Sequence, residues 1–146
     1  MTFEEYRRHD ALALAELVRT GAVKASEILD LAIARAEAVN PKINAIIYPA
    51  YDLARKMAAS VTPDQPFAGV PLLLKDLLME VEGLPMHMGC RGYRGYVSKQ
   101  DSYVVQKYRR GGMLFLGKTN APEFGLTPFT EPELYGPTLN PWDTNR

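Results

Sequence analysis

Two lysines directly follow apolar segments, and this placement makes them the first candidates for chemistry. Lys75 follows the leucines at 72–74, and Lys118 follows the apolar stretch 113–117. Side chains that act on substrates gather where the strands of an α/β sheet end. Partial burial there lowers the pKa of a lysine, so that its neutral amine can serve as a base. The alternative is a strand-end lysine that reaches solvent or pairs with a carboxylate, as Asp76 would allow for Lys75.

A histidine and the single cysteine of the chain share an irregular, glycine-rich segment. His87 and Cys90 could form a Cys–His nucleophile pair. A lone cysteine is more often a small buried apolar residue, and we favour that interpretation. Since His9 is the only other histidine, the sequence offers no set of metal ligands. No metal is expected.

Residues 112–119 match the spelling of a phosphate-binding loop, but their surroundings do not fit one. Such a loop follows a strand and opens a helix, whose first N–H groups hold the phosphate. Here a predicted helix precedes the segment, the four central residues are typical of a buried strand, and Pro122 follows closely. The match is a coincidence, and no nucleotide cofactor is expected.

Helices and short apolar strands alternate around these candidates. Asp10 and Ser26 are the predicted N-caps of the first two helices, and Asn40-Pro41 is expected to stop the second. The two strands before the lysines are apolar throughout, which is typical of strands buried on both faces. The sequence therefore predicts an α/β fold in one unit, with a mixed central sheet flanked by helices. We expect further helices over 51–59 and 101–110, strands over 45–48, 70–74 and 113–116, and little regular structure after 119.

Composition excludes several classes of function. The 17 basic and 17 acidic side chains give no formal net charge, which argues against nucleic acid as a partner. At 47% apolar residues the chain is not expected to be disordered. The N-terminus lacks the basic start and apolar core of a signal peptide, and no apolar run approaches the ~20 residues that span a bilayer. We expect a cytoplasmic protein without a membrane partner.

Four motifs, in order along the chain, resemble the amidase signature family. They are Gly-Val-Pro-Leu-Leu-Leu-Lys-Asp at 69–76, the helix after Asp101, Gly-Lys-Thr-Asn-Ala-Pro-Glu-Phe-Gly at 117–125, and Gly-Pro-Thr-Leu-Asn-Pro-Trp-Asp at 136–143. The resemblance covers nearly the whole chain. It implies hydrolysis of a carboxylic amide, without metal or cofactor, by a nucleophilic serine, a second serine in a cis peptide, and a lysine. The family's lysine matches Lys75, which the resemblance makes the general base, whereas Lys118 is interpreted as structural.

Neither serine of that triad has a counterpart in this chain. The serines present lie outside the motif positions: Ser26, Ser60, Ser98 and Ser102. In the family, both catalytic serines belong to a Gly/Ser-rich loop that would follow Arg146. We therefore expect residues 1–146 to be the N-terminal part of a single amidase domain, truncated before that loop and inactive by itself.

The glycine-rich segment Met86–Gly95 is the candidate substrate wall. Within it, Met88, Gly89 and Cys90 are the candidate substrate-binding residues. Many relatives carry Gly-Ser where Gly89 and Cys90 stand, and this departure concerns the substrate pocket rather than the type of reaction. The expected partner is a small-molecule amide, and the sequence does not define which one.

Two other functions stay open at this point. The first is the amidase subunit of a tRNA-dependent amidotransferase, which usually carries Met-Asp where Ala121-Pro122 stand. That difference favours hydrolases similar to those that open cyclic amides in nylon-oligomer degradation. The second is a non-catalytic fragment or binding module. Homodimers are common among similar enzymes, so the resemblance also leaves a homodimer open.

Overall fold

Three strands form a mixed sheet in the order β1-β3-β2. The computed structural model describes residues 1–145. The strands are β1 (Ile46–Pro49), β2 (Pro71–Lys75) and β3 (Leu114–Thr119). β1 runs antiparallel to β3, whereas β2 runs parallel to it. The predicted α/β class with a mixed sheet is confirmed.

Five α-helices are present among residues 1–145: α1 (Phe3–Tyr6), α2 (Ala11–Arg19), α3 (Ala25–Ile43), α4 (Tyr51–Ala58) and α5 (Tyr103–Arg110). Asp10 caps α2 as predicted, and its carboxylate accepts a hydrogen bond from the Ala13 amide at 2.8 Å. The first helix was not predicted. Its signal is the Thr2–Glu5 capping box, in which the Thr2 amide donates to the Glu5 carboxylate at 2.7 Å.

Helix α3 corrects both predicted boundaries of the second helix. It begins at Ala25, so Ser26 lies in its first turn and is not the N-cap. Its end is also later than predicted, since the helix passes through Pro41 and ends at Ile43. Asn40 supports this extension, because its side chain accepts from the Ile46 amide at 2.6 Å and donates to the Ile46 carbonyl at 2.8 Å. These bonds hold the helix end against the start of β1.

A bulge in β3 decides which way its side chains point. Leu72 pairs with Phe115 and Leu73 with Gly117, so Leu116 is an extra residue relative to β2. Phe115 packs in the core cluster of Leu74, whereas Leu116 packs with α3 and α4 on the other face. After the bulge, Lys118 pairs with Leu74 and therefore shares the face of Leu74 and Phe115. Without the extra residue, Lys118 would lie on the opposite face from Phe115.

Strand β2 is buried on one face only, which corrects the prediction of burial on both faces. Leu74 is 1% exposed, whereas Leu73 is 38% exposed. β2 is an edge strand of the three described strands, and a groove of about 400 Å³ between α3 and β2 lies on the Leu73 face. Strand β3, in the middle of the sheet, is buried on both faces as predicted. No helix among residues 1–145 combines the length and apolar character needed to cross a bilayer.

Candidate active site

Lys75 is the last residue of β2 and its side chain is exposed. Successive side chains of a strand point to opposite faces, so Lys75 lies on the face of Leu73 and away from the core that buries Leu74. The expectation that burial removes water from both strand-end lysines is therefore wrong for Lys75. Among residues 1–145, Lys75 forms no ion pair with Asp76, because the Asp76 carboxylate lies on the other face.

Lys118 is the buried lysine of the site, with no exposed surface. Its ammonium donates to the Met79 carbonyl and lies 4.0 Å from Asp76 Oδ1 and 3.8 Å from Met86 Sδ. Burial lowers the pKa of Lys118, and the carboxylates of Asp76 and Glu80 oppose that change. A buried ammonium with these partners is held in place by them, which agrees with the interpretation of Lys118 as structural.

Asp76 connects Lys118 to the segment Met86–Gly95, here called the wall segment. Its carboxylate is 1% exposed and accepts from the His87 amide at 3.2 and 3.3 Å. Its own amide donates to the Thr119 carbonyl at 3.0 Å, which continues the pairing of β2 with β3 by one residue. The alternative interpretation of Lys75 paired it with this carboxylate, whereas the lysine that lies beside Asp76 is Lys118. Strand alternation is the sequence signal that tells Lys75 from Asp76, since Asp76 shares a face with Leu74 and Lys75 does not.

Tyr135 connects the wall segment to the part of the chain that follows β3. The Tyr135 hydroxyl and His87 Nδ1 share a hydrogen bond, and the two rings are stacked with centroids 5.9 Å apart. Burial, together with the negative charge of Asp76, raises the pKa of Tyr135 to about 12, against a smaller opposing effect of Arg94. The His87 ring is thus engaged with Tyr135, a contact across 48 residues that sequence reasoning did not find.

Met88 lines a cavity of about 360 Å³ along the wall segment, together with Leu78, Glu80, Met86, Tyr93 and Tyr96. Its backbone is left-handed, with φ of 52°, and its carbonyl accepts from the Phe124 amide at 3.0 Å. A non-glycine residue with this conformation is held there by its surroundings. Of the three predicted substrate-binding residues, Met88 is the one that lines this cavity.

Gly89 and Cys90 are placed differently. Gly89 has φ of 68°, and a Cβ built on it would lie 2.6 Å from the Ala121 carbonyl oxygen. Glycine is therefore required for the wall segment to pass close to the residues after β3. Cys90 is partly buried with a free thiol, and its amide donates to the His87 carbonyl at 2.9 Å.

The structure places the hydroxyls of Ser60, Ser98 and Ser102 in different environments. The Ser60 hydroxyl donates to the Met57 carbonyl of α4 at 2.9 Å, and the hydroxyls of Ser98 and Ser102 are buried without hydrogen-bond partners. Within residues 1–145 no hydrogen bond joins one of these hydroxyls to Lys75. The described part of the chain also contains no cluster of three His, Cys, Asp or Glu side chains arranged as metal ligands. Within the described residues, the end of β2 presents one exposed lysine amine.

Comparisons with known proteins give one consistent result. A family model described as Amidase matches residues 27–146. A 6-aminohexanoate-cyclic-dimer hydrolase of Paenarthrobacter ureafaciens is 46% identical over 94% of this chain and 28% of the relative. A glutamyl-tRNA(Gln) amidotransferase subunit of Acidothermus cellulolyticus is 37% identical over 95% of this chain and 29% of the relative. The solved structure of a 6-aminohexanoate cyclic dimer hydrolase complexed with substrate has a TM-score of 0.89 at 45% identity, over 94% of this chain and 29% of that one. The chain thus spans less than a third of the length of these relatives.

Proposed function

This chain belongs to the amidase family, and we propose from that membership that the complete protein hydrolyses the C–N bond of a carboxylic amide with Lys75 as its general base. The observation that carries this proposal is the contrast between the two strand-end lysines. Lys118 is fully buried and paired with Asp76, whereas Lys75 ends β2 with an exposed side chain. Only the second arrangement leaves an amine available to a substrate or to another catalytic group.

In the proposed reaction, neutral Lys75 accepts the proton of a serine in a cis peptide. That serine in turn accepts the proton of the nucleophilic serine, which attacks the amide carbonyl. Lys75 returns its proton through the serine of the cis peptide to the amide nitrogen, the C–N bond breaks, the amine leaves, and an acyl-enzyme ester stays on the nucleophilic serine. Water then hydrolyses the ester and releases the acid. We assign both serines and the oxyanion donors to chain that follows residue 146 in the complete protein. One oxyanion donor alone is worth about 10²–10³ in rate, so residues 1–146 by themselves are expected to be inactive.

The wall segment is proposed to bind the substrate, with Met88 in direct contact and Gly89 and Cys90 shaping the backbone beside it. The cavity along this segment is lined by apolar and aromatic side chains with one carboxylate, Glu80. Such a lining suits an amide with an aliphatic portion. The substrate is a small molecule, with no cofactor, nucleic acid or membrane involved, and we expect the protein in the cytoplasm. Assembly as a homodimer stays a prediction.

The first test is the intact mass of the protein purified from its source, followed by an amide panel. A mass well above 16.3 kDa would agree with further chain after residue 146. The complete protein is then incubated with the cyclic dimer of 6-aminohexanoate, which the relatives' names give as their substrate, and with linear aliphatic and aromatic amides. Release of amine and acid from at least one of them is expected. Failure with every amide would contradict the proposal.

A second candidate is the amidase component of an amidotransferase, which the 37% identity to such a protein supports. Ala121-Pro122, in place of the usual Met-Asp, weighs against it. The two candidates differ in a direct way. An amidotransferase component would be purified with partner chains and would support ammonia release from glutamine, whereas a hydrolase acts on its amide alone. A non-catalytic binding module would do neither.

A further inference from the structure

We propose that Asp76 is a positioning residue for Lys75, since its carboxylate fixes the end of β2 and the wall segment at one buried point. The inference rests on the proposed amide hydrolysis, in which Lys75 acts on a substrate held along the wall segment. Asp76 contacts neither the reacting amine nor the cavity. It acts through the backbone of its neighbours.

The buried point is the ion pair of Asp76 with Lys118. The two side chains are 1% and 0% exposed, and Nζ lies 4.0 Å from Oδ1. Charges removed from water in this way are tolerated only when each is paired and hydrogen-bonded. Lys118 meets this need with the Met79 carbonyl, and Asp76 meets it with the His87 amide. Neither side chain can move without leaving a buried charge uncompensated.

This immobile carboxylate is adjacent in sequence to the proposed base. The Asp76 amide donates to the Thr119 carbonyl at 3.0 Å, and Leu74 on the other side of Lys75 is 1% exposed in the core. The Lys75 backbone is therefore held between two buried side chains. Since a displacement of about 1 Å in a reacting group can cost about 10²-fold in rate, this support matters for catalysis.

The same carboxylate also fixes the wall segment. The His87 amide donates to both Asp76 oxygens, and Met86 Sδ lies 3.8 Å from the Lys118 ammonium. Met86 lines the cavity, and His87 immediately precedes Met88, the proposed contact residue. Asp76 thus sets the relative position of base and substrate wall.

Asp101 provides a matched control elsewhere in the chain. Its carboxylate also joins a cation to a backbone amide, accepting from Arg109 Nε at 2.7 Å and from the Glu82 amide at 2.8 Å. It connects a loop to α5 and lies outside the end of β2. Asp101→Ala removes the same kind of link from a place where the hydrogen bonds reach Glu82, Gln106 and Arg109 rather than Lys75 or the wall segment.

The experiment compares Asp76→Ala, Asp76→Asn and Asp101→Ala in the complete protein. The readouts are kcat and KM on the hydrolysed amide of the panel, and hydrogen exchange in peptides that contain His87 or Glu82. We expect Asp76→Ala to lower kcat per folded molecule by about 10²-fold and to speed exchange at His87. Asp76→Asn keeps an acceptor for the His87 amide, so exchange there stays near wild type while kcat falls less. Asp101→Ala speeds exchange at Glu82 and leaves kcat unchanged.

A merely structural Asp76 would give a different pattern. Equal kcat in wild type and the folded Asp76 variants, or equal kcat losses in Asp76→Ala and Asp101→Ala, would overturn the proposal. Where Asp76→Ala does not fold, Asp76→Asn decides, and wild-type kcat in that variant would also overturn it. Should the wild type hydrolyse no amide, the proposed function fails by itself. Exchange at His87 that is unchanged in a folded Asp76→Ala protein would separately refute the positioning role.

Discussion

Lys75 is the last residue of β2 and Lys118 is the last but one of the parallel strand β3, yet their side chains lie on opposite faces of the sheet. Lys118 pairs with Leu74, and Lys75 pairs with Thr119, so the two lysines are offset by one residue. One residue along a strand reverses the direction of the side chain. The offset places one amine in the core beside Asp76 and leaves the other exposed. Although the two lysines share a sequence pattern, we therefore expect Lys75 to affect activity and Lys118 to affect stability.

Substituting the two lysines should separate those consequences. In the complete protein, Lys75→Ala is expected to lower amide hydrolysis by about 10²–10⁴-fold, the contribution of a positioned general base. Its free energy of unfolding should change far less than in Lys118→Ala, because within residues 1–145 the Lys75 side chain is exposed whereas that of Lys118 is buried. Lys118→Ala should lower the free energy of unfolding by about 3–5 kcal/mol, since it leaves the Asp76 charge buried and unpaired. Turnover assays measure the rate of amide hydrolysis, and urea denaturation measures the free energy of unfolding. Near wild-type turnover in Lys75→Ala would contradict its assignment as base.

The strand ends could be predicted from sequence, whereas the face of Lys118 could not. The apolar run that stops at Lys75 marks the end of β2, and the one that stops at Lys118 marks the end of β3 to within one residue. Alternation along β2 also predicts that Lys75 and Asp76 point to opposite faces. In β3, however, one extra residue at Leu116 shifts the alternation. An apolar run gives no sign of such a bulge, because every residue in it suits either face. Only the pairing with β2 shows that Lys118 faces the core.

Contacts between loops were likewise beyond sequence reasoning. His87 and Tyr135 lie in segments without periodicity, and their hydrogen bond joins residues 48 positions apart. Helix α3 is a different case, since Pro41 is a strong local stop signal that the surrounding bonds override. The Asn40 side chain holds the helix end to Ile46, and Asn44 ends the helix in a left-handed conformation with φ of 50°. Side-chain hydrogen bonds to the following strand here outweigh the preference of the residue before proline.

Gly89 should be the glycine of the wall segment that tolerates substitution least. Gly89→Ala would place a Cβ 2.6 Å from the Ala121 carbonyl oxygen and also strain a backbone with φ of 68°. Gly95→Ala is the matched control, because its φ of 91° is also positive but nothing lies within 4 Å of its Cβ. We expect Gly89→Ala to lower the melting temperature of the complete protein more than Gly95→Ala. It should also raise KM, as the wall segment moves away from residues after β3. Equal effects of the two substitutions on melting temperature and KM would show that contact with Ala121 does not matter.

Tyr135 should make stability fall with pH in a defined alkaline range. Burial raises its pKa from 10.0 to about 12, so between these values the folded protein keeps a proton that the unfolded chain releases. The folded state then binds more protons, and the free energy of unfolding decreases as pH rises through this range. Below pH 10 both states are protonated, and the contribution of Tyr135 is fully present.

Tyr135→Phe lacks the titrating group, so its stability relative to wild type should rise from about pH 10 to about pH 12. Urea denaturation of the complete protein across this range measures the difference, with the exposed Tyr103→Phe as a control that should follow wild type. Parallel pH profiles for wild type and Tyr135→Phe would show that Tyr135 is not held in its protonated form by the fold.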